Sequence, residues 1–271
     1  MKMEIKPMRL KLIKIGCIVI LVNVLSFNIS FWTSSLSPHP GNGPFQYVVL
    51  QESATTILYP LIMWVTIGIA LYPIYGIFHS QAVSSMAIRI GWENLYRRSI
   101  VKIFLSACII RFLTECLNIV AVHCWNPFTL EPFQIESLWT MSELINHANT
   151  GIVFAHWILA SVGTGIYVVF VFLMADYIRN AYIYILIPII HKFFSVFIYI
   201  AAFTSLVTLI PTIAEKTPVR AILSIVMPSS ILSPGTHYGY VLQSFISASV
   251  LYVLVSYILY RFTLKRRRLY G

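Results

Sequence analysis

Long apolar runs separated by short polar stretches dominate the pattern of this 271-residue chain. Several runs approach or exceed the roughly 20 residues that a helix needs to cross a bilayer core of about 30 Å. The pattern predicts an all-α integral membrane protein with a single transmembrane domain over residues 1–271. Its six predicted transmembrane helices cover residues 13–33, 56–78, 100–122, 150–175, 193–211 and 239–262.

The fifth apolar run, residues 181–212, is too long for one simple crossing. A single helix of that length would extend roughly 48 Å, well beyond the hydrocarbon core. Pro188 and the pair His191 and Lys192 interrupt the run. We therefore predict an interfacial segment to about residue 191, followed by a span that begins near 193. This division leaves Lys192 at the cytoplasmic surface, and a single tilted or kinked helix is the alternative.

Four prolines break up the segment before the last span, "PTIAEKTPVRAILSIVMPSSILSPGTHYG", residues 211–239. The segment is apolar enough to contact the membrane, yet it is interrupted too often to cross it. It predicts short broken helices that lie at the outer interface or dip into it.

Charge sets the predicted orientation. The chain is 58% hydrophobic and 10% charged, and its net charge is +10. Basic residues flank the apolar runs, whereas the loops 34–55 and 123–149 contain no Lys or Arg. The positive-inside rule then places both termini in the cytoplasm of a multi-pass protein of the cell membrane, with an uncleaved first helix. The same rule explains the positive charge, so no nucleic-acid partner is predicted.

The connection between the second and third runs, "SMAIRIGWENLYRRSIVKIF", concentrates charge unusually. Treated as one helix from residue 84, it has an apolar stripe and a charged stripe, which predicts a cytoplasmic amphipathic helix on the inner membrane surface. A lipid-surface anchor and a docking surface both fit this pattern, and the acidic Glu93 favours docking. The apolar stripe contains Ser84, Ile88, Trp92 and Leu95, and the charged stripe contains Arg89, Glu93 and Arg97.

Arg111 and Glu115 lie inside the third predicted span, near mid-membrane. A lone charge at that depth costs on the order of 2.5–3.5 kcal/mol, so polar partners or water are expected. Their i, i+4 spacing allows the two side chains to meet on one helix. The pair is either a polar point on a translocation path or subunit interface, or a neutral ion pair buried inside the bundle.

Candidate catalytic chemistry is sparse. Four histidines fall on the predicted outer side with Cys124, but no pair has the spacing that makes a metal site specific. We find no nucleophile motif and no phosphate-binding loop. The sequence therefore predicts a protein that is not an enzyme and holds no metal or cofactor. The four histidines are His39, His123, His147 and His237.

The connection, the broken outer segment "MPSSILSPGTHYGYVL" and the basic ending "YRFTLKRRRLYG" together resemble the permease subunits of ABC-2-type exporters, particularly compact ones of Gram-positive bacteria. The resemblance implies a coupling helix that sits in a groove of a separate ATPase subunit, where ATP binds. It also implies a second permease copy or paralogue, and a hydrophobic or amphipathic substrate such as a peptide, toxin, drug or lipid-like molecule. The implied coupling residues are Arg89, Gly91, Trp92, Glu93, Arg97 and Arg98, with Lys102 following.

Two other classes of function remain open from the residues alone. The first is a polytopic membrane protein that does not transport, for example a sensor, an immunity protein or an assembly factor. The second is an intramembrane metal-dependent enzyme that uses the outer histidines or the pair Arg111 and Glu115.

Overall fold

The computed structural model describes residues 5–33, 43–44, 47, 58–125, 150–209, 225–234 and 241–270. Within these ranges every regular element is a helix, and six of the described helices are long and apolar enough to cross a membrane. The helical fold class and the six candidate spans are therefore confirmed. The helices are α1 Ile5–Thr33, α2 Leu58–Phe78, α3 Gln81–Ile90, α4 Trp92–Trp125, α5 Thr150–Met174, α6 Ala181–Leu209, α7 Ser229–Leu232 and α8 Val241–Tyr270.

The six long helices pack into one bundle. Helix α4 packs against α1 and α5, α2 packs against α1 and α6, and α8 packs against α5. Ile13 at the start of α1, Ile74 near the end of α2 and Lys102 in the first half of α4 line the same cavity. Asp176, just after α5, contacts Arg267 near the end of α8. Successive long helices therefore run in opposite directions.

One end of the bundle, which we call the basic end, carries most of the described cations. Both the start of α1 and the end of α8 lie toward it, as an even number of spans requires. The prediction that this end faces the cytoplasm stays a prediction from the charge pattern. The basic end is defined by Arg89, Arg97, Arg98, Arg179, Lys265, Arg266 and Arg267.

The amphipathic connection is two helices rather than the single helix predicted from residue 84. Gly91 separates α3 from α4 with a φ of 79°, a left-handed conformation that glycine adopts without steric cost. Because the chain turns at Gly91, residues of α3 and residues of α4 do not continue one helical stripe. Val83 and Ala87 are the buried positions of α3, whereas Ile88 is 84% exposed. The prediction of one continuous helix is therefore wrong, whereas Trp92 and Leu95 of the predicted apolar stripe do pack against the core.

Helix α6 is continuous from Ala181, which corrects the predicted division into an interfacial segment and a later span. Asn180 fixes the helix start, because its Oδ1 accepts hydrogen bonds from the backbone N–H groups of Tyr182 and Ile183 at 2.9 and 3.3 Å. Pro188 lies inside the helix without ending it, as membrane helices tolerate. Lys192 therefore lies eleven residues into α6, about 16 Å along its axis, rather than at its start.

Residues 225–234 enter the bundle and pack against the middle of α5. Helix α7 forms part of this re-entrant segment, and a Cβ atom on Gly163 of α5 would overlap the carbonyl oxygen of Ile231. The Tyr252 hydroxyl of α8 donates a hydrogen bond to the Val226 carbonyl at 3.0 Å. Broken backbone at membrane depth persists only where protein or water satisfies its polar groups. The described part of this segment thus agrees with the prediction of a short helix that dips inward.

Candidate functional site

A buried ion pair lies in the second half of α4. The Nη2 atom of Arg111 is 2.6 Å from Oε1 of Glu115, and the two side chains are 4% and 0% exposed. The i, i+4 spacing predicted that they would meet, and the structure brings them together. Each charge is neutralised by the other, which reduces the cost of burying both away from water.

Three further polar groups surround the carboxylate. The Tyr47 hydroxyl donates to Oε2 of Glu115 at 2.6 Å, and the Tyr59 hydroxyl donates to Oε1 at 2.9 Å. The Asn118 amide donates to Oε2 at 3.4 Å. We call these five residues, Tyr47, Tyr59, Arg111, Glu115 and Asn118, the charge cluster. Three donors converge on this carboxylate, so the Glu115 side chain is held at a fixed position.

The guanidinium of Arg111 is held from the side of α2. Its Nη1 atom donates to the Tyr59 hydroxyl at 3.1 Å and lies 2.7 Å from the sulfur of Met63. Tyr59 therefore bridges both members of the pair. Burial first, and then the charge of Glu115, raise the pKa of the Tyr47 hydroxyl well above its ordinary value. Tyr47 therefore remains a hydrogen-bond donor at neutral pH.

Apolar rings close the charge cluster on one side. The Phe27 ring of α1 packs edge-on against Tyr59 with 5.1 Å between ring centroids, and tilted against Tyr47 with 6.0 Å. The Tyr47 ring also meets His156 of α5 at 6.3 Å. The Nδ1 atom of His156 is 3.0 Å from the Pro234 carbonyl oxygen of the re-entrant segment. One imidazole thus connects the charge cluster with that segment.

A cavity of about 470 Å³ lies between α1, α2 and α4 and adjoins the charge cluster. Arg111 and Met63 contribute to its wall, together with Asn23 of α1. Most of the lining is aliphatic. The arrangement joins an apolar space to a polar group around Asn23 and Arg111, with Lys102 at the other end, and such a mixture is the usual character of a small-molecule site.

The residues predicted for ATPase coupling lie at the basic end. Arg89 is on α3, whereas Glu93, Arg97 and Arg98 are on the first turns of α4, and all four side chains are exposed. The ring of Trp92 is half-buried, and the guanidinium carbon of Arg267 lies 4.8 Å from the ring centroid. Trp92 is therefore an anchor between α4 and α8 rather than part of an exposed surface.

Asp176 is the residue at this end that the sequence patterns missed. It is the only aspartate in the chain. Its carboxylate accepts a hydrogen bond from the Tyr96 hydroxyl of α4 and forms an ion pair with Arg267 of α8. Its carbonyl oxygen accepts a hydrogen bond from Arg266 at 3.0 Å. In the sequence, the signal for its role was a single aspartate among many cations. In the structure, Asp176 links the end of α5 to α4 and α8.

Of the four predicted outer histidines, the structure describes only His123. Among described residues, no group of three His, Cys, Asp or Glu side chains is close enough to hold a metal ion. His39, His147 and His237 lie outside the described residues. His123 is exposed near the end of α4, and Cys124 beside it is a free thiol.

The fold and the charge cluster together define a multi-pass helical membrane protein with a buried, neutralised charge pair. No protein-family model matches the chain, and no curated protein or solved structure is significantly similar to it.

Proposed function

We propose that this chain is the membrane-spanning permease subunit of an ABC exporter. It moves a hydrophobic or amphipathic substrate, and a separate subunit binds and hydrolyses ATP. The observation that carries the proposal is the continuity of α4. This single helix of 34 residues runs from the exposed basic end to the buried charge cluster.

Energy coupling requires a path from a soluble ATPase to the interior of the membrane part. Helix α3 lies beside the start of α4 at the basic end, and Val83 and Ala87 attach it to the bundle. A push on α3 passes through Gly91 directly into α4, because only one residue separates the two helices. Movement of its first turns then tilts α4 about Arg111 and Glu115, which Tyr47 and α2 hold in place. This connection supports the role of a coupling helix.

The charge of the exposed surface fits an acidic groove on a partner. Arg89, Arg97 and Arg98 are exposed there, and Glu93 adds a single negative charge. Complementary charges guide association and fix the register of an interface. A partner that presents carboxylates around one cation would match this pattern. The absence of a phosphate-binding loop from the sequence assigns ATP to that partner, and a dimer with a second permease completes the proposed assembly.

The test is a charge reversal with a matched control. Arg89→Glu combined with Arg97→Glu should abolish co-purification of an ATPase subunit from native membranes in mild detergent, or abolish substrate-stimulated ATP turnover. Arg261→Glu combined with Lys265→Glu changes the net charge equally on the exposed face of α8 and should preserve both.

Membrane insertion is checked for each variant, and it should persist because the basic residues near both termini still set orientation. Retention of the ATPase and of normal turnover by the Arg89 and Arg97 variant would exclude the coupling role. If the unchanged protein co-purifies with no ATPase, the proposal fails in favour of a membrane protein that does not transport.

A further inference from the structure

We propose that the cavity between α1, α2 and α4 binds a long-chain amphiphile with a neutral hydrogen-bond donor, a hydroxyl or an amide N–H, at one end. This donor lies at the end of the cavity near Asn23, which we call the inner end. The binding of this amphiphile is inferred from the cavity alone. That such amphiphiles are the substrates of an exporter rests on the proposed function.

The shape of the cavity suits an elongated apolar molecule. It extends from Ile13 of α1 toward Asn23, ten residues along the helix and therefore about 15 Å. Lys102 lies at the end nearer the basic end of the bundle. The side chains of Cys17 and Ile109 line the cavity and are also exposed on the outside of the bundle. A ligand can therefore enter sideways, from the region that the bilayer fills.

Asn23 defines the chemistry of the inner end. Its Nδ2 atom donates to the Val19 carbonyl at 2.8 Å and to the Thr66 hydroxyl at 2.9 Å. Because a carbonyl oxygen only accepts, these bonds fix which amide atom is nitrogen. The Oδ1 atom has no hydrogen-bond partner among the residues that the structure describes, although the side chain is only 4% exposed. Buried acceptors are nearly always satisfied, so this oxygen, itself closed to water, would gain a partner when a ligand donor enters the cavity and the amide turns toward it.

The neighbouring hydroxyls strengthen the same conclusion. Thr66 donates to the Met63 carbonyl at 3.0 Å, and Thr114 donates to the Ile110 carbonyl at 2.8 Å. Both hydroxyl protons are therefore used within the protein, and what each oxygen still offers is a lone pair. The inner end is consequently a group of acceptors that selects for a donor.

The charge of that donor is limited by the ion pair beside it. Arg111 lines the cavity, so a cationic ligand group would face its guanidinium. Glu115 already neutralises Arg111, so an anionic group would gain little there while facing the lone pairs of Asn23. A neutral donor satisfies Asn23 without adding a buried charge.

The experiment uses the purified full-length chain in phosphatidylcholine nanodiscs. The probe is tetradecanol with a photoactivatable diazirine in its chain, and the comparison probe is its methyl ether, which lacks the donor. We expect saturable labelling of peptides from α1 and α4 that unlabelled tetradecanol displaces. The ether should bind roughly tenfold more weakly, which corresponds to one lost hydrogen bond.

Three variants separate the site from general lipid contact. Asn23→Leu should reduce tetradecanol binding to the level of the ether. Ala70→Phe fills the cavity from α2 and should abolish saturable labelling by both probes. Thr208→Val is the matched control, because this exposed hydroxyl of α6 bonds within its own helix and lies outside the cavity lining, and it should bind as the unchanged chain does.

Equal binding of the alcohol and the ether overturns the proposal, as does undiminished affinity for tetradecanol in Asn23→Leu or saturable labelling that survives Ala70→Phe. Labelling that unlabelled tetradecanol cannot displace indicates ordinary lipid occupancy and also overturns it. The measurement needs no ATPase, so failure of the exporter hypothesis leaves a positive binding result intact. A negative binding result likewise leaves the coupling test unaffected.

Discussion

Removing one charge of the buried pair should destabilise the protein more than removing both. Glu115→Gln keeps the shape of the side chain but leaves the Arg111 guanidinium without its counter-charge. That cation, 4% exposed, then faces the Tyr59 hydroxyl and the Met63 sulfur, which are weak substitutes for a carboxylate. Breaking a buried pair in this way typically costs about 3–5 kcal/mol.

Arg111→Leu should cost less than Glu115→Gln. The carboxylate of Glu115 keeps the hydroxyls of Tyr47 and Tyr59 and the amide of Asn118 as donors. Its negative charge therefore remains partly compensated. The decrease in the free energy of unfolding should fall near the lower end of the range of about 3–5 kcal/mol. In the double variant no buried charge is stranded, although the new amide has a single carbonyl oxygen and therefore accepts from only one of the two tyrosines. The free energy of unfolding of the double variant should decrease by about 0.5–1.5 kcal/mol for each altered hydrogen bond.

Thermal unfolding of the purified chain in one detergent, followed by the loss of the monodisperse chromatographic peak, ranks the variants. Glu115→Gln should show the lowest midpoint, Arg111→Leu the next, and the double variant should recover part of the difference. Arg98→Leu removes an exposed cation from the same helix and should change stability by no more than about 0.5 kcal/mol. Losses that simply add in the double variant would show that the two charges act separately, and the pair argument would be refuted.

Three further predictions concern other parts of the bundle. Gly163→Ala should cost about 1–3 kcal/mol, because its new methyl group overlaps the re-entrant backbone, while Gly76→Ala, which meets no atom within 4 Å, should be harmless in the same unfolding assay. Asp176→Asn should release the end of α8 and make limited proteolysis there faster, and an unchanged cleavage rate would contradict the three-helix contact. In a background without native cysteines, Ser137→Cys should react with an impermeant thiol reagent in intact cells and Ser85→Cys should not. Labelling of the latter from outside would reverse the predicted orientation.

The membrane class and the meeting of Arg111 with Glu115 were predictable because both depend on local pattern. A span requires only a sufficient apolar run, and residues four apart on a helix are neighbours wherever that helix lies. Tyr47 and Tyr59 were not predictable, since they lie 68 and 56 residues from Glu115 in the chain. Their positions depend on how α1, α2 and α4 pack, and no local spacing encodes that packing.

The single helix predicted from residue 84 and the predicted late start of α6 were wrong for the same reason. In each case one residue changed the local backbone structure that the hydropathy pattern predicted. The left-handed φ of Gly91 turns the chain between α3 and α4, so the single helix predicted from residue 84 did not form. At α6 the interruption at Pro188, His191 and Lys192 predicted a later start, whereas the Asn180 side chain caps the helix at Ala181. In both cases the residue that decides the structure is visible in the sequence, but its effect depends on a dihedral angle or a cap bond that a hydropathy pattern does not contain.

In the proposed coupling role, the length of α4 makes it a lever whose pivot is the charge cluster. Arg111 lies 19 residues after Trp92, which places about 28 Å of helix between the pivot and the end that meets α3. A tilt of about 10° around the cluster therefore displaces the Trp92 end by roughly 5 Å, whereas Arg111 itself scarcely moves. Large excursions at the basic end are thus compatible with an intact ion pair. Conversely, a small rearrangement among Tyr59, Arg111 and Glu115 that tilts α4 would produce a much larger displacement of its Trp92 end.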